Sequence, residues 1–197
     1  MAPTLPSLAV MGPWSRLHRA ESEILAALLT GAEREAVNRR LGRLIGQAPS
    51  WVPTTAPEGG GRFTEPLGPG ALYLGNTLET CVAELAYHHG LLCAASVGTP
   101  PGTRAVFRHL VFQVAGDFAD ASLDRKHGLH NPSDYSASWA FGRRARATGF
   151  PGIHYRSVRK RGGRCLGVFE QTAVRFLRFE LGAVILEWDG QASRRMA

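Results

Sequence analysis

The sequence predicts an α+β fold, with a mixed or antiparallel sheet as its core and helices flanking the sheet. Apolar residues recur at helical spacing in the first quarter of the chain, over residues 24–45. Short runs rich in β-branched and aromatic residues dominate the second half. Helical patterns first and strand patterns later, without regular alternation of the two, are typical of α+β proteins.

The N-terminal quarter predicts a helical extension, residues 1–58, packed on a domain of residues 59–197 to form one compact unit. Three prolines predict an irregular start over residues 1–13. Residues 24–45 predict two helices, the second of which opens at a capping box, residues 30–33. An extended connector with three prolines follows: Pro49, Pro53 and Pro57.

The remaining elements follow from apolar periodicity and turn residues. Asn76 or Thr77 can cap a helix that runs to about His89, and Ser133 can cap a second one, residues 134–147, that Gly149 ends. The predicted strands are residues 71–74, 105–114, 153–155, 165–169, 174–179 and 183–188. The sequence predicts that residues 116–118 end the second strand and that Leu181-Gly182 joins the last two in a hairpin.

Composition and charge narrow the class of protein. A net charge of +7 favours anionic partners such as phosphorylated ligands, nucleic acid or an acidic protein, although a solvated basic surface has the same charge. The three cysteines, Cys81, Cys93 and Cys165, form no CxxC pair and predict reduced core thiols. The chain has no run of about 18 apolar residues, so we expect no membrane contact and a cytoplasmic location.

Three residues between positions 59 and 84 form a candidate site. Arg62 follows three glycines, which let a backbone approach a ligand closely, and a guanidinium can bind phosphate or ribose oxygens. Tyr73 lies in an apolar strand, in which its side chain points to the opposite face from those of Leu72 and Leu74. Its ring could stack there on a planar heterocycle. Glu84 lies among apolar residues of the following helix, on one face with Cys81 and His88. Each residue also has a purely structural interpretation: Arg62 as part of a surface turn, Tyr73 as a partly exposed strand residue, and Glu84 as a solvent-facing helix residue.

A basic segment, residues 155–164, surrounds Ser157. It carries five basic residues: Arg156, Arg159, Lys160, Arg161 and Arg164. It could be a phosphate-binding loop with Ser157 as a donor, a nucleic-acid patch, or the charged end of a hairpin. The pattern alone does not choose among them.

Histidines occur close together as His88-His89 and as His127 with His130. Structural and catalytic zinc sites need three or four converging ligands, and neither group has an acidic or thiol partner at such a spacing. We therefore expect no metal. The sequence has no nucleophile-elbow, P-loop or dinucleotide-fingerprint motif.

Together these segments resemble the RES family, toxins of bacterial toxin–antitoxin pairs that are named for an Arg, a Glu and a Ser. The family's Gly-Gly-Arg turn, Leu-Tyr-Leu strand and glutamate helix correspond to residues 61–66, 72–74 and 79–84. Its Tyr-x-Ser-x-Arg segment corresponds to residues 155–159. The chain departs from the family pattern at Thr64-Glu65 and at Ser138-Trp139, in a spacing from Arg62 to Tyr73 that is one residue longer, and in residues 1–58, which are longer and more helical.

The resemblance implies a core like that of ADP-ribosyltransferase toxins and cleavage of the nicotinamide–ribose bond of NAD. NAD would be a substrate rather than a permanent cofactor, with water or inorganic phosphate as acceptor. An alternative is ADP-ribosylation of a cellular protein. The expected partner is a helix-turn-helix, Xre-like antitoxin that covers the active site, and no direct nucleic-acid contact is expected.

The resemblance also implies roles for the matching residues. Arg62 would hold the diphosphate or a ribose oxygen, Tyr73 would stack on the nicotinamide, and Glu84 would stabilise the positively charged ribose. Ser157, with Arg159, would anchor the phosphates or the attacking oxyanion. A rival of a different class is a basic nucleic-acid-binding module that uses residues 156–164 and Arg143, Arg144 and Arg146. Such binding would weaken steeply with salt, unlike NAD cleavage.

Overall fold

The computed structural model describes residues 4–19, 50–124 and 128–196, and a mixed sheet organises them. Two α-helices accompany the sheet in these ranges, α1 (Leu78–Ala95) and α2 (Ser136–Ala147). The strands are β1 (Ser7–Arg19), β2 (Leu72–Gly75), β3 (Thr103–Asp120), β4 (Gly152–Arg156), β5 (Arg164–Val168), β6 (Val174–Trp188) and β7 (Ser193–Arg195). The architecture confirms the predicted α+β class and its mixed sheet.

The strand order brings β2, β5 and β4 side by side. The described sheet runs β1-β2-β5-β4-β3-β6-β7, and β1 pairs with β3 as well as β2. Five strands therefore close into a ring, in which β3 and β4 run parallel and the other pairs run antiparallel. Because β2 leads into α1 and a tight loop joins β4 to β5, this order places α1 beside that loop.

Alternate residues of the ring strands pack on opposite faces. Leu72 and Leu74 belong to one buried cluster, together with β3 and β5 residues such as Phe112 and Leu166. Tyr73 packs in a second cluster. The prediction that Tyr73 lies on the opposite face of the strand from its two leucine neighbours is thus confirmed, as the period-two geometry of a strand requires. The predicted helix after Thr77 is also confirmed, since the Thr77 hydroxyl caps it by accepting a hydrogen bond from the Thr80 N–H, 3.2 Å away.

The predicted irregular start of the chain is wrong. All thirteen residues of β1 pair with β3, from Ser7 opposite Ala119 to Arg19 opposite Phe107. The described pairing of β1 with β2 is confined to one position, Ser15 opposite Gly75, so Pro13 lies in a strand that is paired mainly on one side. Proline is tolerated in such strands, and the long pairing with β3 outweighs the local preference of the prolines for irregular structure.

The two predicted N-terminal helices, residues 24–45, lie outside the described residues. The division of the chain at residue 58 therefore stays a prediction. The described part of that segment belongs to the main sheet, because β1 closes the ring of strands.

Several boundaries differ from the prediction. α1 runs to Ala95 rather than ending at about His89. Residues 116–118 do not end β3, which continues to Asp120 beside β4. β6 is one strand rather than a hairpin, because it follows β3 past a bulge where Gly182 takes a φ of +96°. α2 begins at Ser136 instead of Asp134. It follows a turn in which Asn131 Oδ1 accepts hydrogen bonds from the N–H groups of Ser133 and Asp134. In the described ranges no helix is both long enough and apolar enough to cross a bilayer.

A buried polar pair joins β3 to β4. His154 Nδ1 lies 3.0 Å from Asp120 Oδ1, and both side chains are 8% exposed. Burial disfavours the ionised carboxylate, but hydrogen bonds from Ser122 and His154 outweigh this, so the pKa of Asp120 lies below its usual value. A carboxyl whose pKa is lower in the folded state stabilises the fold above its unfolded pKa, about 3.8, and loses this contribution as the pH falls through the folded pKa.

We predict that Asp120→Asn makes the unfolding free energy less dependent on pH between about 5 and 3, because one preferentially ionised carboxyl is removed. Urea unfolding at several pH values measures this. Asp117→Asn, an exposed position on the same strand, is the matched control and should keep the wild-type dependence. Equal slopes for wild type and Asp120→Asn would contradict the prediction.

Candidate active site

A cavity of about 350 Å³ opens between β1, the segment before β2, and α1. A volume of this size is typical of small-molecule sites. Arg62, Tyr73 and Glu84, which the sequence singled out, all line it. Its other polar or aromatic lining residues include Arg16, Thr80, Cys81, His88, Tyr135 and Tyr155.

The glycine run before Arg62 forms a tight turn rather than an open loop. Gly61 and Thr64 exchange backbone hydrogen bonds of 2.8 and 3.3 Å across the turn. Gly60 has a φ of +68°, which favours glycine, and a Cβ on Gly61 would lie 2.6 Å from the Tyr73 hydroxyl. The glycines therefore let the turn sit directly against the tyrosine.

The Tyr73 hydroxyl holds that turn in place. It accepts a hydrogen bond from the Phe63 N–H at 3.1 Å and shares another with the Thr64 hydroxyl at 3.2 Å. Burial raises the pKa of Tyr73, so the phenol stays protonated near neutral pH. Its oxygen is fixed by the turn while its ring forms part of the cavity wall.

The Arg62 guanidinium is buried and oriented by the loop before α2. Its Nη1 donates to the carbonyl oxygens of Leu129 and Asn131, at 3.1 and 2.8 Å. The guanidinium carbon also lies 4.6 Å from the centre of the Tyr135 ring. Both carbonyl bonds use the same nitrogen, so the other N–H groups of the guanidinium are not committed to these two acceptors.

Glu84 and Ser157 form a direct hydrogen bond. The Ser157 hydroxyl donates to Glu84 Oε1 at 2.6 Å and accepts from the N–H groups of Arg159 and Lys160, at 3.2 and 2.9 Å. Those two donors leave the hydroxyl proton directed at the carboxylate. In this structure Ser157 therefore orients Glu84. Ser157 also lines a neighbouring cavity of about 310 Å³, together with His130 and Arg156.

The remaining predicted residue, Arg159, lies outside the first cavity. Its guanidinium carbon is 3.4 Å from the centre of the Tyr87 ring, and Nη2 donates to the Pro132 carbonyl oxygen. The basic segment around it is the end of a hairpin, since Arg156 in β4 pairs with Arg164 in β5. The structure thus brings Arg62, Tyr73 and Glu84 together, adds Ser157 through a hydrogen bond, and leaves Arg159 at the edge.

Arg16 is a further cavity residue, which the sequence patterns did not predict. It lies on β1, lines the same cavity as Arg62, and burial lowers its pKa, the sign of a desolvated cation. The apolar alternation around it is short and follows Pro13, so no strand was predicted there.

Two cysteines of the cavity wall are poor nucleophiles. Burial raises the pKa of Cys81 to about 12 and also raises that of Cys165, which lies 3.9 Å from Glu84 Oε1. No cluster of three or more His, Cys, Asp or Glu side chains in the described ranges is arranged to bind a metal ion.

Comparison with known protein families decides the identity of the domain. The model of the RES domain matches residues 37–189, which is more than half of the chain. The chain belongs to the RES domain family. The matched range contains Arg62, Tyr73, Glu84 and Ser157, whereas Arg16 precedes it. Comparison with curated proteins gives no match.

A solved structure has the same fold. It is the crystal structure of the M. tuberculosis MbcT–MbcA toxin–antitoxin complex, which matches with a TM-score of 0.55 and 15% sequence identity. The match covers 88% of this chain and 85% of that chain. At this level of identity the likeness establishes the fold.

Two places where this RES domain departs from the family pattern, Thr64-Glu65 and Ser138-Trp139, have structural partners. Thr64 shares its hydroxyl with Tyr73, and Glu65 forms an ion pair with Arg143 of α2. Ser138 donates to the Leu129 carbonyl oxygen at 2.9 Å, and Trp139 Nε1 donates to the Gly61 carbonyl oxygen at 2.9 Å. Both departures therefore join α2 to the Arg62 turn and its supporting loop.

We predict that Gly142→Ala destabilises the RES domain by about 1–3 kcal/mol, the range for overpacking. A Cβ at this α2 position would lie 2.3 Å from the Phe63 carbonyl oxygen, next to Arg62. Alanine normally stabilises a helix relative to glycine, so a lower unfolding free energy in this variant is attributable to the clash. Urea unfolding checks it, with Gly59→Ala, where a Cβ meets nothing within 4 Å, as control. A stabilised variant would show that α2 does not clamp the turn.

Proposed function

We propose that this RES domain is the toxin of a toxin–antitoxin pair and that it cleaves the nicotinamide–ribose bond of NAD. Membership of the RES family and a fold shared with a chain of a toxin–antitoxin complex support the toxin assignment. The chemistry of the cavity supports the reaction. NAD and an antitoxin would place this activity in the cytoplasm.

The observation that carries the proposal is the meeting of two arginines, a tyrosine and an oriented carboxylate in one cavity. The diphosphate of NAD is anionic, and Arg16 and Arg62 are the cations able to bind it there. Loss of nicotinamide leaves positive charge on the ribose, and Glu84 is the carboxylate able to stabilise that charge.

The other residues prepare these groups. The Tyr73 ring forms a wall against which nicotinamide can stack, while its hydroxyl keeps the Arg62 turn in place. Ser157 fixes one oxygen of Glu84 and leaves the second for the substrate. Nicotinamide leaves as a neutral group, so bond cleavage needs no metal and no permanent cofactor.

The acceptor distinguishes three versions of the reaction. Water would give ADP-ribose, inorganic phosphate would give a phosphorylated ADP-ribose, and a protein side chain would become ADP-ribosylated. Incubation of the purified chain with NAD, with and without phosphate, followed by chromatography of the products, separates the first two. Labelled NAD with a cell extract reveals the third. NAD that stays intact in every arm would reject the proposed function.

We predict that Glu84→Gln lowers the rate of nicotinamide release by about a hundredfold or more, the usual effect of losing one preorganised electrostatic contact. The substitution keeps the size of the side chain and removes its charge. Glu79→Gln lies on the exposed side of the same helix and serves as the matched control. Nicotinamide release at saturating NAD measures both variants. An unimpaired Glu84→Gln enzyme would remove Glu84 from the mechanism.

We further propose an Xre-like helix-turn-helix antitoxin as the partner, seated over the cavity and the basic hairpin. Lys160 and Arg161 are exposed at the end of that hairpin, whereas Arg159 is held against Tyr87. An acidic surface or a C-terminal carboxylate of the partner would complement them. Free NAD cleavage would harm the host cell, which is the reason for a partner that covers the site.

We predict that reversing the charge at Lys160 and Arg161 together slows association with the cognate antitoxin and reduces its salt dependence, because charge complementarity acts mainly on the association rate. Surface plasmon resonance over a salt series measures both quantities. Arg175→Glu, an exposed change of the same sign on β6, is the control. An association rate that is unchanged by the hairpin variant would place the interface elsewhere.

A further inference from the structure

Glu84 and Ser157 meet although they come from separate parts of the fold. Glu84 lies in the second turn of α1, and Ser157 begins the loop between β4 and β5. Their hydrogen bond is 2.6 Å long, so a shift of the helix by 1 Å against the hairpin would break it. Something must fix the start of α1 relative to this loop.

The polar contacts at the start of α1 join it to β5. The Asn76 N–H donates to the Arg164 carbonyl oxygen at 3.0 Å, and the Arg164 N–H donates back to Asn76 Oδ1 at 2.9 Å. The Thr80 hydroxyl donates to the same Oδ1 at 3.0 Å and lies 3.1 Å from the Thr77 hydroxyl oxygen. Thr80 is 1% exposed, so this network has a buried centre.

The loop approaches that centre at a glycine. A Cβ on Gly163 would lie 2.9 Å from Thr80 Oγ1, 3.0 Å from the Lys160 carbonyl oxygen and 3.0 Å from Ser157 Cβ. Gly163 also accepts a hydrogen bond from the Ser157 N–H at 3.0 Å. Gly163, which packs against Thr80, is therefore also the hydrogen-bond partner of Ser157, the residue that orients Glu84.

We propose that the contact between Thr80 and Gly163, supported by Asn76, sets the distance between the Glu84 carboxylate and the Ser157 hydroxyl. Asn76, Thr80 and Gly163 are then positioning residues of the site. They act on Glu84 through Ser157 and through the register of α1. The kinetic part of this proposal rests on the proposed NAD cleavage, whereas its structural part does not.

Two substitutions test the contact from opposite sides. Thr80→Val keeps the shape of the side chain and removes the hydroxyl, and Thr80→Ser restores that hydroxyl. Gly163→Ala adds a Cβ against Thr80 and Ser157, which forces the loop away from the helix. Arg161→Ala, exposed in the same loop, is the control.

The first readout is independent of activity. The ¹³C resonance of the Glu84 carboxylate, measured by NMR at one neutral pH, reports the hydrogen bond from Ser157, and Ser157→Ala defines its position when that bond is lost. We expect Thr80→Val and Gly163→Ala to move the resonance toward the Ser157→Ala value. We expect Thr80→Ser and Arg161→Ala to leave it at the wild-type value.

The second readout separates positioning from binding. We expect the kcat for NAD cleavage to fall about tenfold or more in Thr80→Val and Gly163→Ala, with KM changed less than about twofold, because misplacement of a group that acts in the transition state affects mainly kcat. Thr80→Ser should recover most of the rate.

The outcomes are distinguishable. A Glu84 resonance that stays at the wild-type value in both Thr80→Val and Gly163→Ala overturns the positioning role. A displaced resonance with an unchanged kcat overturns its relevance to the reaction. A wild-type protein without NAD cleavage rejects the proposed function, and the resonance still decides whether Thr80 and Gly163 hold the carboxylate.

Discussion

The pairing of β2 with β5 is the contact on which the site depends. It places Tyr73 opposite Gly167, and Gly75 opposite Cys165, so that β2 and the helix after it lie beside the β4–β5 hairpin. One strand thus supplies a wall of the cavity and the start of α1, while its neighbour supplies the hairpin that carries Ser157. A slip of this register by one residue would turn Tyr73 to the opposite face and would separate Asn76, at the start of α1, from its partner Arg164.

Close backbone approach is the second requirement, and glycine meets it at several positions, of which three bear on the Arg62 turn and the Ser157 loop. Gly61 lies against the Tyr73 hydroxyl, Gly142 against the Phe63 carbonyl oxygen, and Gly163 against Thr80. Gly61 directly precedes Arg62, Gly142 packs on Phe63, the residue after Arg62, and Gly163 accepts a hydrogen bond from the Ser157 N–H. The same close packing explains how Arg62 stays buried, since two loop carbonyl oxygens and the Tyr135 ring replace part of its hydration.

Local signals predicted the elements that bear most of the site. The Leu-Tyr-Leu alternation, the Thr77 cap and the glycine turn act over a few residues, and the structure has each of them as predicted. Non-local effects were invisible to such signals. The strand at β1 exists because β3 accepts it, β6 stays a single strand because β3 continues beside it, and Arg16 reaches the cavity only through that pairing. That Ser157 donates to Glu84 depends on a packing contact, so its residue type alone could not reveal it.

The closed ring of strands has a consequence for synthesis of the protein. β1 pairs with β3, and β2 pairs with β5, so the ring joins segments that are far apart in sequence. A ribosome releases the chain from its N-terminus, and such long-range pairs form only after the later partner has emerged. We therefore expect Arg16, Arg62 and Glu84 to face a common cavity only after β5 has left the ribosome and paired with β2. For a protein whose proposed activity harms its own host, an unfinished chain would be harmless, and an antitoxin would meet its target only as a nearly complete molecule.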